Sequence, residues 1–432
     1  MYISKVQIKN IRCFDKIDIE FKSGDNKPDW TMIVGDNATG KTALLKSIAI
    51  GLCDVSSAAG LLRESDSGYI RHGNSIGNIM IELEDPVENK RYKIITTLEK
   101  VAIRTRASSV EYYERVSQKT IPQYQKFPWG KIFACAYGAG RGTSGTGDIA
   151  GYSVINAVYN MFNYSEGLQN PELMIRRIQS SDLKIKEEFL GKLEDLLFGK
   201  IDVSQKYRVS LNRAGISVDA QWGRMPLRDI ADGYKSTFLW VTDFLGWALS
   251  FNPNLKSLTD VRGIVIIDEL EEHLHPKWQK RIVANLKNAF PNIQFLTTTH
   301  SPLVASSVIK RSNRNENFRL LHLSLLKGNK VIKTELSTSI SGLDIGQLLG
   351  SKIFDYVTNY DMEVEKIFQM ASELASLDNR TSSQEQDYQK LKTFIGRYID
   401  NDGKTSIERI IQDEKFEEIK RKVAQLENKL FG

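Results

Sequence analysis

Cysteine is scarce in this 432-residue chain, and Cys13, Cys53 and Cys135 stand far apart. They build neither a disulfide framework nor a Cys-x-x-Cys metal site, and a reducing cytoplasm is the compartment that fits. The five histidines, His72, His273, His275, His300 and His322, form no metal-binding pattern in the sequence. No run approaches the ~18 uninterrupted apolar residues of a membrane span. The opening MYISKVQIKNIRCFDKI alternates charged and apolar residues and lacks a signal-peptide core. Charge of one sign is modest as well. The 59 Lys+Arg against 53 Asp+Glu leave +6, too little for a polybasic protein. No repeat and no long heptad array is present, which excludes a solenoid and a long coiled-coil arm. What remains is 41% hydrophobic and 9% aromatic, enough for a packed core. At ~100–200 residues per domain, the length allows two or three domains.

Hydrophobic periodicity predicts strands over 2–8, 17–21, 30–34, 79–83, 92–98, 132–137, 293–298, 320–326 and 330–335. Helices are expected over 42–52, through 149–198 with breaks at Pro171 and near Ser180, over 232–250, over 278–289, and in the charged tail from about 345. Residues 207–222 read as a hairpin around Asn212–Gly215. The run Gly263–Ile267 is continuously apolar, as a strand covered on both faces of a parallel sheet must be. Two stretches are basic: 100–131 carries seven Lys/Arg and two Glu, and 310–333 seven Lys/Arg and one Glu. They are candidates for phosphate-backbone contacts, with solvated faces as the equal alternative. Tyr112, Tyr113, Tyr124, Phe127 and Trp129 interleave with the first stretch, a pattern that serves stacking on single strands or the packing of a β-subdomain.

Four constellations carry chemistry. Gly35-Asp36-Asn37-Ala38-Thr39-Gly40-Lys41-Thr42 fits GxxxxGK[ST] between a strand and a helix. Its backbone amides cradle phosphates, Lys41 neutralises their charge, and the Thr42 hydroxyl suits Mg²⁺. The strand 263–267 ends in Asp268-Glu269. Two carboxylates at the end of a buried strand cost several kcal/mol unless something binds them. Asp268 suits the Mg²⁺ shell, and Glu269 suits polarising an attacking water. His300 closes the strand 293–298, at the sheet end where open α/β sheets bind ligands. Asp232, Gly233, Tyr234, Lys235 and Ser236 open the helix 232–250, a second helix N-terminus fit for an anion, although, taken alone, simple capping by Asp232 is the favoured reading.

Together, and in this order, the four resemble the head of ABC-type ATPases. The likeness is to the SMC/RecF-like branch and its short relatives in bacterial anti-phage defence, and it is strongest over 1–60 and 225–335. It makes Gly35–Thr42 the Walker A loop and Asp268 with Glu269 the Walker B end. His300 becomes the switch histidine and 230–236 the signature, which acts on the nucleotide of a partner copy. Asn10-Ile-Arg12-Cys-Phe14 resembles the opening motif whose arginine reaches the phosphates, and Glu271-Glu-His-Leu-His-Pro276 resembles the D-loop box. No glutamine stands at the Q-loop position, which Tyr137–Arg141 occupies, so the resemblance leaves either Arg141 or the loop amides to sense the γ-phosphate. The signature serine falls on Ala231, which removes one hydroxyl from that contact.

The Gly-Tyr-Lys-Ser form of the signature and the His-Leu-His-Pro box narrow the resemblance to the ATPase subunit of Septu-type systems, also found with retrons. The resemblance implies ATP and Mg²⁺ as cofactors, a homodimer closed around ATP, and a separate nuclease partner of the HNH type. A PARIS-like sensor holding a TOPRIM-type nuclease, a non-hydrolysing scaffold and a RecF-like repair ATPase are the rival readings. Asp400-Asn-Asp402 has the letters of a nuclease motif but sits in a polar turn, so no nuclease activity is expected of the chain alone. The expected architecture is an α/β P-loop NTPase of the ABC-ATPase head type, with an antiparallel β-subdomain, a helical insertion and a helical tail. Its parts are 1–148 and 201–340 for the split ATPase domain, 149–200 for the insertion and 341–432 for the tail.

Overall fold

The computed structural model describes residues 1–21, 29–65, 68–104, 110–121, 127–141, 151–163, 168–181, 183–197, 208–212, 215–220, 223–226, 229, 232–312, 317–326 and 330–335. Further on it describes 366–367, 370–371, 373–374, 380–397, 413 and 415–431. These fall into two compact units, Met1–Phe354 and Asp355–Gly432.

The first unit opens with β1 (Tyr2–Ile11), β2 (Phe14–Glu20) and β3 (Trp30–Gly35), followed by α1 (Lys41–Gly51) and α2 (Val55–Arg63). Then come β4 (Ile76–Asp85), β5 (Lys90–Arg104), β6 (Val110–Ile121) and β7 (Ala134–Tyr137). The insertion supplies α3 (Val154–Val158), α4 (Pro171–Ser181) and α5 (Leu183–Leu197), and β8 (Arg208–Asn212), β9 (Gly215–Ala220) and β10 (Gly223–Pro226) form a small meander. The unit continues with α6 (Asp232–Phe251), β11 (Gly263–Ile267), α7 (Pro276–Gln279), α8 (Ile282–Ala289), β12 (Ile293–Thr298) and α9 (Pro302–Ser312), and with the hairpin β13 (Phe318–Leu326) and β14 (Lys330–Glu335).

Six strands make the central sheet in the order β14-β13-β3-β12-β11-β7, parallel throughout except for the edge strand β14. Every residue of β3, β7, β11 and β12 is buried. Successive side chains of a strand point to opposite faces, and here the alternation divides the interior in two. Trp30, Met32, Val34, Cys135, Tyr137, Val265, Ile267 and Phe295 join one core with residues of α5, α6, α8 and α9. Ile33, Ala134, Ala136, Ile264, Ile266 and Leu296 join another with α1 and the second sheet. That sheet is antiparallel, in the order β2-β1-β4-β5-β6.

A buried polar side chain helps to suture the two sheets. Gln294 on β12 is fully buried. It accepts from the Ile3 amide at 2.7 Å and donates to the Ile3 carbonyl at 2.9 Å, where the β1–β4 register shifts between Ile3 and Lys5. The amide group thus supplies the pairing that the bulged backbone cannot make with β4.

Some expectations change in detail. The helix expected over 278–289 is two helices, α7 and α8. The Arg281 amide bonds the Trp278 carbonyl, closing the first turn tightly. Gln279 meanwhile ties its side chain to the Leu274 carbonyl and the Ser301 hydroxyl. Within the basic stretch 100–131 lies a strand not expected from the sequence, β6, zipped antiparallel to β5 with Glu99 opposite Arg115 and Lys100 opposite Glu114. Its polar residues hid the strand, because a sheet edge with little to bury needs no alternating apolar pattern.

The second unit has its own small core. Its α10 (Ser382–Gly396) and α11 (Phe416–Phe431) bury Leu391, Phe394, Phe416, Val423 and Leu426 with Ile367, Met370 and Leu374. Thr381 and Gln384 close a capping box at the start of α10. Asp400 and Asp402 lie outside the described residues.

Candidate nucleotide site

The central strand β3 runs into the loop 36–40, and α1 begins at Lys41. Gly40 is left-handed with φ 94°. A side chain there would bring its Cβ within 2.2 Å of the Cys13 sulfur. Ala38 is left-handed too, at φ 64°. The Asp36 carbonyl gathers the loop, accepting from the Thr39 amide and, at 2.8 Å, from the Thr39 hydroxyl. Lys41 folds its ammonium into this ring, donating to the Gly35 carbonyl at 2.7 Å and the Asp36 carbonyl at 2.8 Å. Burial pulls its pKa below the ordinary lysine value, opposed by the nearby charges of Asp268 and Asp36. Burying an ammonium is costly unless opposite charge meets it, so Lys41 suits an anion such as a phosphate.

Thr42 donates its hydroxyl to Asp268 Oδ2 at 2.6 Å. The other oxygen, Oδ1, accepts from the Thr298 hydroxyl at 2.5 Å. Thr298 in turn accepts from the Glu269 amide at 2.8 Å. The first turn of α1 and the ends of β11 and β12 thereby bring Thr42, Asp268 and Thr298 together. Hydroxyl and carboxylate oxygens are the hard donors that Mg²⁺ selects, so this pair fits that ion. Glu269 follows with φ 48°, a left-handed conformation that is uncommon outside glycine. Glu271 accepts from the Thr299 hydroxyl at 2.6 Å and from the His300 amide, which fixes the turn that carries the histidine. A cleft of about 320 Å³ is lined by Asn37, Ala38, Gly40, Lys41, Thr42, Asp268, Glu269 and His300, together with Arg12 and Cys13.

Arg12, also left-handed at φ 48°, stacks its guanidinium 4.6 Å from the Tyr69 ring centre and donates to the Ser65 hydroxyl at 2.5 Å. It lies on the cleft and on a neighbouring groove. Arg141 takes a different place from the one expected of it. It is 1% exposed and spends its guanidinium on the carbonyls of Gly138, Asp268, Glu269 and Leu270. A guanidinium engaged in this way is not presented to a γ-phosphate.

The signature region stands apart from this cleft. Residues 230 and 231 lie outside the described residues, while α6 begins at Asp232. Gly233 lies so close to the box after Walker B that a Cβ would fall 2.0 Å from the His273 carbonyl. Its glycine is therefore required within the chain, whatever it does across a dimer. Lys235 is half-buried and Ser236 buried.

Sequence reasoning gave no site role to Thr298, Glu271 or Cys13, although Glu271 and Cys13 lie within motifs it singled out. Thr298 and Glu271 sat in view, in Thr-Thr-Thr-His and in the acidic pair before His-Leu-His-Pro, but their partners lie 28 to 30 residues away.

A loop and helix start after β3, a carboxylate pair after the parallel strand β11, one strand removed, and an antiparallel β-subdomain make a P-loop fold of the ABC-ATPase head type. The AAA domain family matches residues 5–132. The family described as AAA domain, putative AbiEii toxin, Type IV TA system matches residues 202–306. The chain is similar to the Septu protein PtuA of Bacillus mycoides, with 25% identity over 92% of this chain and 51% of that protein. It is similar also to the Retron Vc95 probable ATPase of Vibrio cholerae, with 24% identity over 71% of this chain and 72% of the relative. The chain thus spans about half the length of the Bacillus mycoides relative. Among solved structures, the SMC head domain from Thermotoga maritima aligns over 78% of this chain and 99% of its own, at 15% identity and a TM-score of 0.43. The resemblance drawn from the motifs, to ABC-type ATPases of the Septu and retron kind, agrees with these relatives. No helix among the described residues is long and apolar enough to cross a membrane.

Proposed function

We propose that the chain binds and hydrolyses ATP with Mg²⁺ and that, in a dimer closed around ATP, it governs a separate nuclease in anti-phage defence. The observation that carries the ATPase reading is the convergence of Lys41, Thr42, Asp268 and Glu269 on one cleft, from the loop after β3 and the end of β11, which flank β12 in the sheet. The loop amides and Lys41 hold the β- and γ-phosphates. Thr42 and Asp268 hold the metal ion, which when bound neutralises charge on the phosphate oxygens. Glu269 orients the attacking water and accepts its proton on a carboxylate oxygen. His300, at the same cleft, donates toward the terminal phosphate. Gly233, Tyr234 and Lys235 complete the site of the partner copy, and Asp232 and Ser236 flank them. The defence role and the nuclease partner rest on the likeness to the Septu and retron proteins.

The test is direct. Purified protein releases phosphate from Mg-ATP and binds a fluorescent ATP analogue, and Lys41→Ala loses both. The chain alone leaves DNA intact. Retention of nucleotide binding by Lys41→Ala removes the proposed site, and metal-dependent DNA cleavage by the pure chain removes the need for a nuclease partner.

One observation favours nucleic acid as a further contact. A groove of about 1030 Å³ lies beside the antiparallel sheet, lined by Arg63, Arg71, Lys100 and Arg115 among others, with Tyr112 and Tyr113 exposed. Lys100 sits 4.5 Å from the Tyr112 ring centre. Cations beside exposed rings suit backbone contact with base stacking. Single-stranded oligonucleotide binding that falls steeply with salt and weakens in Lys100→Glu supports this contact; salt-independent binding, or none, removes it.

A further inference from the structure

We infer that Arg141 is a positioning residue for hydrolysis, which sets the catalytic turn through its backbone without touching the nucleotide. The inference rests on the reading of Glu269 as the residue that polarises water. Arg141 lies just beyond β7, the neighbour of β11, and its side chain is 1% exposed. Its Nη1 donates to the Asp268 carbonyl at 2.7 Å and to the Gly138 carbonyl at 3.0 Å. Its Nη2 donates to the Glu269 carbonyl at 2.7 Å and meets the Leu270 carbonyl at 3.4 Å. A carboxylate oxygen, Glu272 Oε2, meets Nη1 only at 3.4 Å. A buried guanidinium normally sits on a carboxylate in a two-toothed grip. This one is committed to three successive carbonyls of a single turn.

That turn holds Glu269 at φ 48°, a conformation that costs a non-glycine residue roughly 1–3 kcal/mol and persists only where its surroundings impose it. The imposition comes from two sides. On the amide side, Thr298 accepts from the Glu269 amide through its hydroxyl and from the Leu270 amide through its carbonyl. On the carbonyl side, Arg141 takes all three oxygens. Two strands flanking β11 thus clamp one dipeptide, and the Glu269 side chain leaves it on the cleft. The Glu269 carbonyl accepts from the Glu272 amide as well, at 2.9 Å, which closes the turn behind it.

The experiment uses the full chain and compares Arg141→Ala, Arg141→Lys and Glu269→Gln with the double variant Arg141→Ala/Glu269→Gln. Phosphate release gives kcat and KM, and a fluorescent ATP analogue gives binding. Arg141→Ala is expected to lower kcat by about tenfold or more while KM and analogue affinity stay within about threefold, because a misplaced group loses rate and not binding. Guanidinium ion added to Arg141→Ala restores part of kcat. In the Glu269→Gln background, removing Arg141 leaves the residual turnover unchanged, since its effect passes through Glu269. Where Arg141→Ala yields no folded protein by circular dichroism, Arg141→Lys carries the test: a lysine cannot span three carbonyls, so kcat falls at constant KM. A parallel loss of ATP affinity, an undiminished kcat, or a further loss in the double variant overturns the inference. Unchanged turnover in Glu269→Gln alone instead overturns the underlying reading of Glu269.

Discussion

At the scale of single residues, the site divides into groups whose roles follow from spacing and groups whose roles follow only from the fold. Gly35–Thr42 was legible because eight consecutive positions encode a loop, a cation and a helix start in one stretch. Asp268 and Glu269 were legible because acidic residues ending an apolar strand conflict with burial. Thr298 was not, since nothing local marks one threonine of three as the partner of a carboxylate 30 positions earlier. Thr298→Val removes the hydroxyl that bridges Asp268 and the Glu269 amide. It is expected to lower turnover by about tenfold or more with ATP binding retained, as measured by phosphate release and analogue binding.

Asp243, in the buried middle of α6, was also unforeseen. Burial pushes its pKa up to about 6, partly offset by the Gln169 amide and the Tyr137 hydroxyl, each at 2.8 Å. A carboxyl whose folded pKa lies above its unfolded one binds more protons when folded, so this group's contribution to stability falls as pH rises from about 4 through about 6. The melting temperature of Asp243→Asn minus that of the wild type is therefore greater at pH 7 than at pH 5, a difference scanning fluorimetry reads directly. A difference that grows on acidification would reverse the sign and refute the assignment.

At the scale of elements, the continuous strands were the most legible feature, because fully covered parallel strands are apolar throughout. The edge strand β6 and the division of α7 from α8 were not, because tertiary contacts decide them. Gln294 is the clearest such case. A glutamine in a strand reads as a face exposed to water, and here it pairs the backbone of another sheet. Gln294→Leu strands the Ile3 amide and carbonyl without partners. Leaving a buried polar group unmet costs about 1–3 kcal/mol each, so urea unfolding should show a loss of about 2–4 kcal/mol. A loss under about 0.5 kcal/mol would mean that β1 finds its partners elsewhere.

At the scale of the whole molecule, residues 226 positions apart, Thr42 and Asp268, meet at 2.6 Å because their strands lie near each other in one sheet. The fold class was legible from motif order alone. The helical insertion and the small meander add to the first core without altering the sheet that presents the site. The central claim is that this cleft hydrolyses ATP by way of Glu269, and the most direct measurement is phosphate release and oligomeric state for Glu269→Gln beside the wild type. The account predicts turnover lower by about a hundredfold or more, undiminished ATP binding, and an ATP-dependent dimer that accumulates in light scattering. Turnover equal to that of the wild type would contradict it.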